Sequence, residues 1–280
     1  MKQTRVRSKT QKKLLNIDSA NWNAPLLITG CARSGTSALT RALSSHDKFC
    51  IFNEYHLYYQ SKYDFNVWHQ IHRMSDDNPP PDKVSNNTAS LKATLLEKLP
   101  LPTSCQLTKN WLFDLLQNPV KIYGDKMPYK YLDSMHKVVE QYPKVKFLII
   151  LRDGRDVVAS QIRQYNDAVK NDKIPEHWMK PSVQEAEYLW LRSARAWLNL
   201  RSNPPAPCLE VRYEQAVRSP ETLAMKICDF VGIAYQEKDF RKFFTLYRPV
   251  NINAWRDEIE NFEEQLSSEF HDALAQLAYK

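Results

Sequence analysis

At 280 residues, with an ordinary apolar content of 43%, the chain can bury a large core as a single domain over 24–280. No window is apolar enough to span a membrane, and the N-terminus has neither the apolar core nor the cleavage site of a secretory signal, so a cytoplasmic protein without membrane insertion is expected. The net charge of +7 comes mostly from Lys2, Arg5, Arg7, Lys9, Lys12 and Lys13, which meet no acid within the first thirteen residues; this predicts a solvated, disordered tail over 1–23 and no nucleic-acid partner.

In chain order, "PLLITG" (25–30) reads as a buried strand feeding a turn, then a helix over about 35–45. Residues 60–118 contain the polar stretch "DDNPPPDKVSNNT", a loop with helical pieces around it. "VKIYGDK" (120–126) predicts a strand and 130–141 a helix. "KVKFLIILRD" (144–153) is continuously apolar from Phe147 to Leu151, as in a parallel strand covered on both faces. Helical patterns follow at 154–165 and 183–201, separated by a polar connection over 166–181. "CLEVRYE" (208–214) alternates as a strand, and helices are predicted over 219–231 and 262–278. The first of these opens on Ser219-Pro220-Glu221, an N-cap followed by proline at the first helical position. Strands alternating with helices predict a P-loop-like, doubly wound α/β domain with a mostly parallel sheet flanked by helices. Insertions such as 60–118 and 166–181 are candidate acceptor-binding elements.

The stretch "GCARSGTS" (30–37) nearly spells the phosphate loop G-x-x-x-x-G-K-[ST], with Thr36 where the lysine belongs. Gly30 and Gly35 are two of only five glycines in the chain, which points to a tight turn whose backbone approaches a ligand. A strand-to-helix turn offers backbone N–H groups and a helix N-terminus to an anion, and Arg33, Ser34, Thr36 and Ser37 add donors. The alternative is a β-α turn without a ligand. Lacking the lysine, the loop suits a terminal phosphate or phosphosulfate better than a β–γ pair with magnesium. In "LRDGRDVVAS", Arg152 ends the strand, and strand ends point into the ligand crevice of such sheets. Arg152 is thus either an anion ligand, with Ser160 two turns into the next helix, or an ion-pair partner of Asp153 or Asp156. Asp153 also matches the magnesium-binding acid of a P-loop kinase. Cys31, Cys50, Cys105, Cys208 and Cys228 are odd in number without C-x-x-C spacing, which predicts reduced thiols, and the histidines show no metal-ligand spacing, so no metal is expected.

"CARSGTS" followed by "FLIILRDGRDVVAS" resembles the sulfotransferases that use 3′-phosphoadenosine 5′-phosphosulfate (PAPS), over about residues 24–260. The resemblance implies that residues 31–37 hold the 5′-phosphosulfate, that Arg152 and Ser160 hold the 3′-phosphate, and that no magnesium is needed. It implies that Tyr213 faces the adenosine and that Trp255 and Arg256, in "NINAWRDEI" (251–259), close over the nucleotide. The motif spacing is most similar to tyrosylprotein and carbohydrate sulfotransferases, in which an acid in a "GEE" stretch follows the loop arginine by twenty-one residues and acts as base. That count reaches Glu54 in "FNEYHLYY", with Asn53 before it and no glycine. His56 is the second candidate, the base used by the small-molecule branch. The lysine of the N-K-D-P segment corresponds to Lys126 in "GDKMPYKY", where Asp125 and Met127 depart from the pattern. The expected reaction is metal-independent, in-line sulfuryl transfer from PAPS to a hydroxyl, or less favourably an amine, leaving adenosine 3′,5′-bisphosphate. Arg33 and Lys126 would meet developing charge. The acceptor would be a sugar, lipid-linked intermediate, small metabolite or peptide, and the oligomeric state is not readable. A magnesium-ATP kinase and a non-catalytic bisphosphate-binding protein are the alternatives. The aromatics Tyr55, Tyr58, Tyr59, Tyr63, Phe65 and Trp68 suit core or cleft and do not decide the acceptor.

Overall fold

The computed structural model describes residues 24–44, 46, 48–54, 122–240, 245, 247 and 249–279. The tail over 1–23, the insertion over 60–118 and His56 lie outside them. The described strands form one parallel five-stranded sheet, β1 (Leu26–Gly30), β2 (Phe49–Asn53), β3 (Ile122–Lys126), β4 (Lys146–Leu151) and β5 (Cys208–Arg212), in the order β2-β3-β1-β4-β5. Leu26 pairs with Gly124 on one side of β1 and with Lys146 on the other. Chain order reverses at β1, so the crevice beyond its carboxyl end is where such a sheet holds a ligand.

The runs Leu26–Ile28 of β1 and Phe147–Leu151 of β4 are apolar because both faces are covered. Leu27, Phe147, Ile149 and Leu151 point to one core, and Leu26, Ile28, Leu148 and Ile150 to the other. The first core is closed by α2 (Lys130–Asp133), α3 (Met135–Gln141), α4 (Gly154–Lys170), α5 (Val183–Arg201) and, after β5, α8 (Ser268–Gln276). The second is closed by α1 (Thr36–Ser44), α6 (Tyr213–Arg218) and α7 (Pro220–Val231). A Cβ on Gly124 would lie 1.8 Å from the Leu26 carbonyl oxygen, so only glycine lets β3 approach β1 there. No helix among the described residues is long and apolar enough to cross a membrane.

Several expected boundaries shift. The helix expected over 130–141 breaks at Ser134 into α2 and α3. The helix after β4 continues to Lys170, so it takes the start of the connection placed at 166–181. β5 stops at Arg212, and Tyr213 opens α6 although the alternation of the sequence runs past it. Ser219 caps α7 with its carbonyl, which accepts from Leu223 N–H at 3.2 Å, while its side chain makes no cap bond. Side-chain caps come instead from Asp153 to Arg155 N–H, Ser182 to Glu185 N–H and Ser267 to Phe270 N–H. Within 262–278, a 3-10 turn at Glu263–Gln265 precedes α8.

Candidate functional site

The turn leaving β1 is built on close approach. A Cβ on Gly30 would stand 2.3 Å from the Ile150 carbonyl oxygen. Gly35 has φ 94°, and a Cβ there would stand 2.7 Å from the Tyr213 ring. Arg33 adopts φ 72°, a left-handed conformation that is costly outside glycine and concentrates at ligand sites. The turn brings the N-terminus of α1 to the rim of a cleft of about 360 Å³, lined from this side by Arg33, Gly35, Thr36, Ser37 and Arg41. Arg152, at the end of β4, lines it together with Ser160 and Arg163 of α4. Tyr213 and Asn251 complete the wall. Among the described residues, the lining thus holds the guanidinium groups of Arg33, Arg41, Arg152 and Arg163 and no carboxylate. Such a surface, with hydroxyls and a helix N-terminus beside it, favours a polyanion.

Arg152 is buried, at 6% exposure, so it does not sit on the surface. Its Nη1 donates to the Arg33 carbonyl at 2.9 Å, its Nη2 donates to the Asn251 carbonyl, and the guanidinium lies 4.6 Å from the Tyr213 ring centroid. Its Nε has no hydrogen-bond partner among the described residues. Among the described residues it forms an ion pair with Asp156, at 3.9 Å. Asp153 is committed elsewhere: its carboxylate accepts from Arg155 N–H, Nε and Nη2 at 2.9, 3.0 and 2.8 Å. Arg33 Nε donates to Ser160 Oγ at 3.2 Å. Burial, followed by the charges of Arg152 and Arg163, lowers the Arg33 pKa.

A second feature lies at the ends of the adjoining strands. Glu54 leaves β2 with φ 63°, its N–H donates to the Lys126 carbonyl at 2.8 Å, and its carboxylate pairs with Lys126 Nζ. Lys126 is 1% exposed and Glu54 41%. Burial lowers the Lys126 pKa, with Glu54 acting against it, and the charge of Arg41 on the cleft wall also reaches this ammonium. Asp125 braces the strand end, accepting from Lys126 N–H at 2.9 Å and from the Tyr131 hydroxyl at 2.7 Å. Neither Glu54 nor Lys126 lines the arginine-rich cleft itself. The chain beyond Lys126 runs along the turn after β1, with Met127 N–H on the Ile28 carbonyl and Tyr129 N–H on the Gly30 carbonyl, each at 3.0 Å.

Three further sequence-derived residues stand outside the cleft. Ser34 is buried and faces a small interior cavity behind the loop. Trp255 is packed in the core beneath Arg155, 4.9 Å from its guanidinium, and against Phe262. Arg256 is exposed and lies over the Trp255 ring. Their segment contributes Asn251 instead, whose Nδ2 donates to the Tyr213 hydroxyl at 3.0 Å. The segment is pinned by Asp156, which accepts from the N–H groups of Asn253 and Trp255 at 2.9 and 3.3 Å. Sequence reasoning also missed Arg41 and Arg163. Each sits one turn beyond a residue already singled out, Ser37 and Ser160, and helical spacing puts such pairs on one face. Cys31, inside the loop, packs in the core, where burial pushes its thiol up to about 12.

Comparison with known proteins decides what this architecture is. The profile of the Sulfotransferase family matches residues 25–237. The chain belongs to the sulfotransferase family. Two nematode proteins that carry the provisional name protein-tyrosine sulfotransferase match this sulfotransferase over 113 residues. The one from Caenorhabditis briggsae is 26% identical and the one from Caenorhabditis elegans 25%. Each match takes 40% of this chain and 38% and 40% of the relatives, so the chain spans about two-fifths of their length. The sulfotransferase domain of the Synechococcus PCC 7002 olefin synthase shares the fold at TM-score 0.64, 18% identical, covering 91% of this chain and 94% of its own. The sulfotransferase domain of the curacin biosynthetic pathway does so at 0.58, 16% identical, covering 92% and 98%.

Proposed function

We propose that this sulfotransferase transfers the sulfuryl group of PAPS to a hydroxyl acceptor without a metal ion. The observation that carries the reading is the arginine-lined cleft at the switch point of the sheet, beside the Lys126–Glu54 pair. The residues fit a donor with charge at two ends: Arg33, Thr36, Ser37 and the N-terminus of α1 at one, Arg152 and Ser160 at the other. The unpartnered Nε of buried Arg152 leaves a donor for such a ligand, and the Tyr213 ring offers a face to a base. Trp255 and Arg256 are assigned an indirect role, through the segment that bears Asn251.

In the reaction the S–O bond to the donor phosphate breaks as a bond forms from sulfur to the acceptor oxygen, and the acceptor proton passes to Glu54. Lys126 and Arg33 meet the charge gathering on the departing phosphate oxygen. Lys126 holds Glu54 in the free protein, so its ammonium exchanges that partner for the phosphate as the carboxylate turns to the acceptor. His56 remains the second candidate base. The kinase reading loses support because both carboxylate oxygens of Asp153 are engaged by Arg155. The partial match to proteins named for tyrosine sulfation makes a tyrosine phenol the first acceptor to screen.

Incubation with PAPS carrying a radiolabelled sulfuryl group and an acceptor panel led by a tyrosine peptide tests this. EDTA-insensitive label transfer that falls in Glu54→Gln is expected. Transfer that requires magnesium, or that Glu54→Gln leaves unchanged, contradicts it.

A further inference from the structure

The connection between α4 and α5 places Trp178 against Arg33, a residue of the cleft wall. Glu176 to Met179 form a tight turn, in which Met179 N–H donates to the Glu176 carbonyl at 2.9 Å and Glu176 N–H donates to Met179 Sδ at 3.4 Å. Trp178 Nε1–H donates to Glu176 Oε2 at 2.8 Å, which fixes the indole within the turn. The Arg33 guanidinium lies 5.2 Å from the centroid of that ring. The same guanidinium donates through Nε to Ser160, and its terminal nitrogens have no hydrogen-bond partner among the described residues.

Arg33 is a side chain that needs holding. It faces the charges of Arg152 and Arg163 in a partly desolvated position, with Glu176 the carboxylate acting the other way. Without a ligand, repulsion would drive a flexible arginine out to solvent. An aromatic face within about 6 Å attracts a guanidinium and restricts its plane.

We propose that Trp178 is a positioning residue for the donor: stacked on Arg33 and locked by Glu176, it keeps the guanidinium in the cleft with its terminal nitrogens toward an anionic group of the donor. The inference rests on the PAPS reading, which supplies that anion. It gives the connection a task on the donor side, where composition alone had suggested an acceptor wall.

The test is titration of the full chain with adenosine 3′,5′-bisphosphate. Trp178→Ala is expected to weaken binding by about 2- to 30-fold, the span from an exposed to a desolvated cation–π contact, while Trp178→Phe, which keeps a ring face, retains most of the affinity. In an Arg33→Ala background Trp178→Ala is expected to have no further effect, because its action passes through Arg33. Trp178→Leu, apolar but without a ring face, replaces the alanine variant if that does not fold, with the same expectation. Unchanged binding in Trp178→Ala, or a loss that persists without Arg33, overturns the inference while leaving the donor reading intact. Wild-type protein that binds no bisphosphate overturns both.

Discussion

Gly35→Ala tests whether the loop is built as tightly as its geometry indicates. At φ 94° any L side chain is strained, at ~1–2 kcal/mol. The new Cβ would also stand 2.7 Å from Tyr213 Cδ2 and 3.3 Å from Tyr247 Cε1, both in buried rings that pack on each other at 5.2 Å. Overpacking of this kind costs ~1–3 kcal/mol. Gly232→Ala is the matched control: its φ is 80° and its Cβ would meet nothing within 4 Å. Both variants gain a similar ~0.4–1 kcal/mol from a stiffer unfolded chain, so their difference isolates the collision. Gly35→Ala should therefore melt roughly 2–12 °C below Gly232→Ala, at ~2–4 °C per kcal/mol for a domain of this size. The displaced Tyr213 ring carries Arg152 at 4.6 Å and the hydrogen bond from Asn251, so bisphosphate affinity should drop about tenfold, as for loss of ~1.4 kcal/mol. Calorimetry and a binding titration read both quantities. Equal melting of the two variants, with wild-type affinity in Gly35→Ala, would refute the reasoning.

The Lys126–Glu54 pair predicts asymmetric variants. Glu54→Gln strands a buried ammonium and should be the more destabilised in urea, whereas Lys126→Met leaves only a half-exposed carboxylate behind. Each should lose roughly 10²–10³ in transfer rate, with bisphosphate affinity held within about threefold in Glu54→Gln, because the general base acts in the transition state and leaves uniform binding intact. Asp156→Ala removes the acceptor of two backbone N–H groups and should cost ~2–5 kcal/mol, with weaker bisphosphate binding through loss of Asn251. Burial, opposed by Arg152 and those N–H groups, raises the Asp156 pKa. The folded state thus holds this proton more tightly than the unfolded chain, and the contribution to stability falls as pH rises from the ordinary carboxylate range through the raised value. The stability gap between wild type and Asp156→Ala, followed by urea unfolding across pH, should accordingly be widest at the acid end; a gap that widens toward neutral pH would contradict the assignment.

The parts of the molecule legible in the sequence are those set by local chemistry. β1 and β4 announce themselves because a strand covered on both faces must be mostly apolar, as the runs Leu26–Ile28 and Phe147–Leu151 are. The loop is legible because a backbone that passes 2.3 Å from a neighbour's would-be Cβ tolerates only glycine, at Gly30. The end of β5 was not, since the pattern of "VRYE" is as compatible with a strand as with the helix turn that starts at Tyr213. Asn251 was illegible for a different reason. Its place depends on Asp156, nearly a hundred residues away, holding the N–H groups of Asn253 and Trp255. Trp255 reads two ways in the sequence, since an indole beside an arginine suits a nucleotide as well as it suits a core; its packing against Arg155 and Phe262 depends on contacts that the sequence does not display.

The central claim is that the cleft binds a nucleotide through two phosphate sites without a metal. Thermal denaturation with adenosine 3′,5′-bisphosphate or ADP, each with EDTA or with magnesium, tests it most directly. At about 100 times its dissociation constant a ligand adds ~2.7 kcal/mol of stability, or roughly 5–11 °C here. The account predicts that shift for the bisphosphate, equal in EDTA and magnesium, and little for ADP. A shift seen only with ADP and magnesium would contradict it.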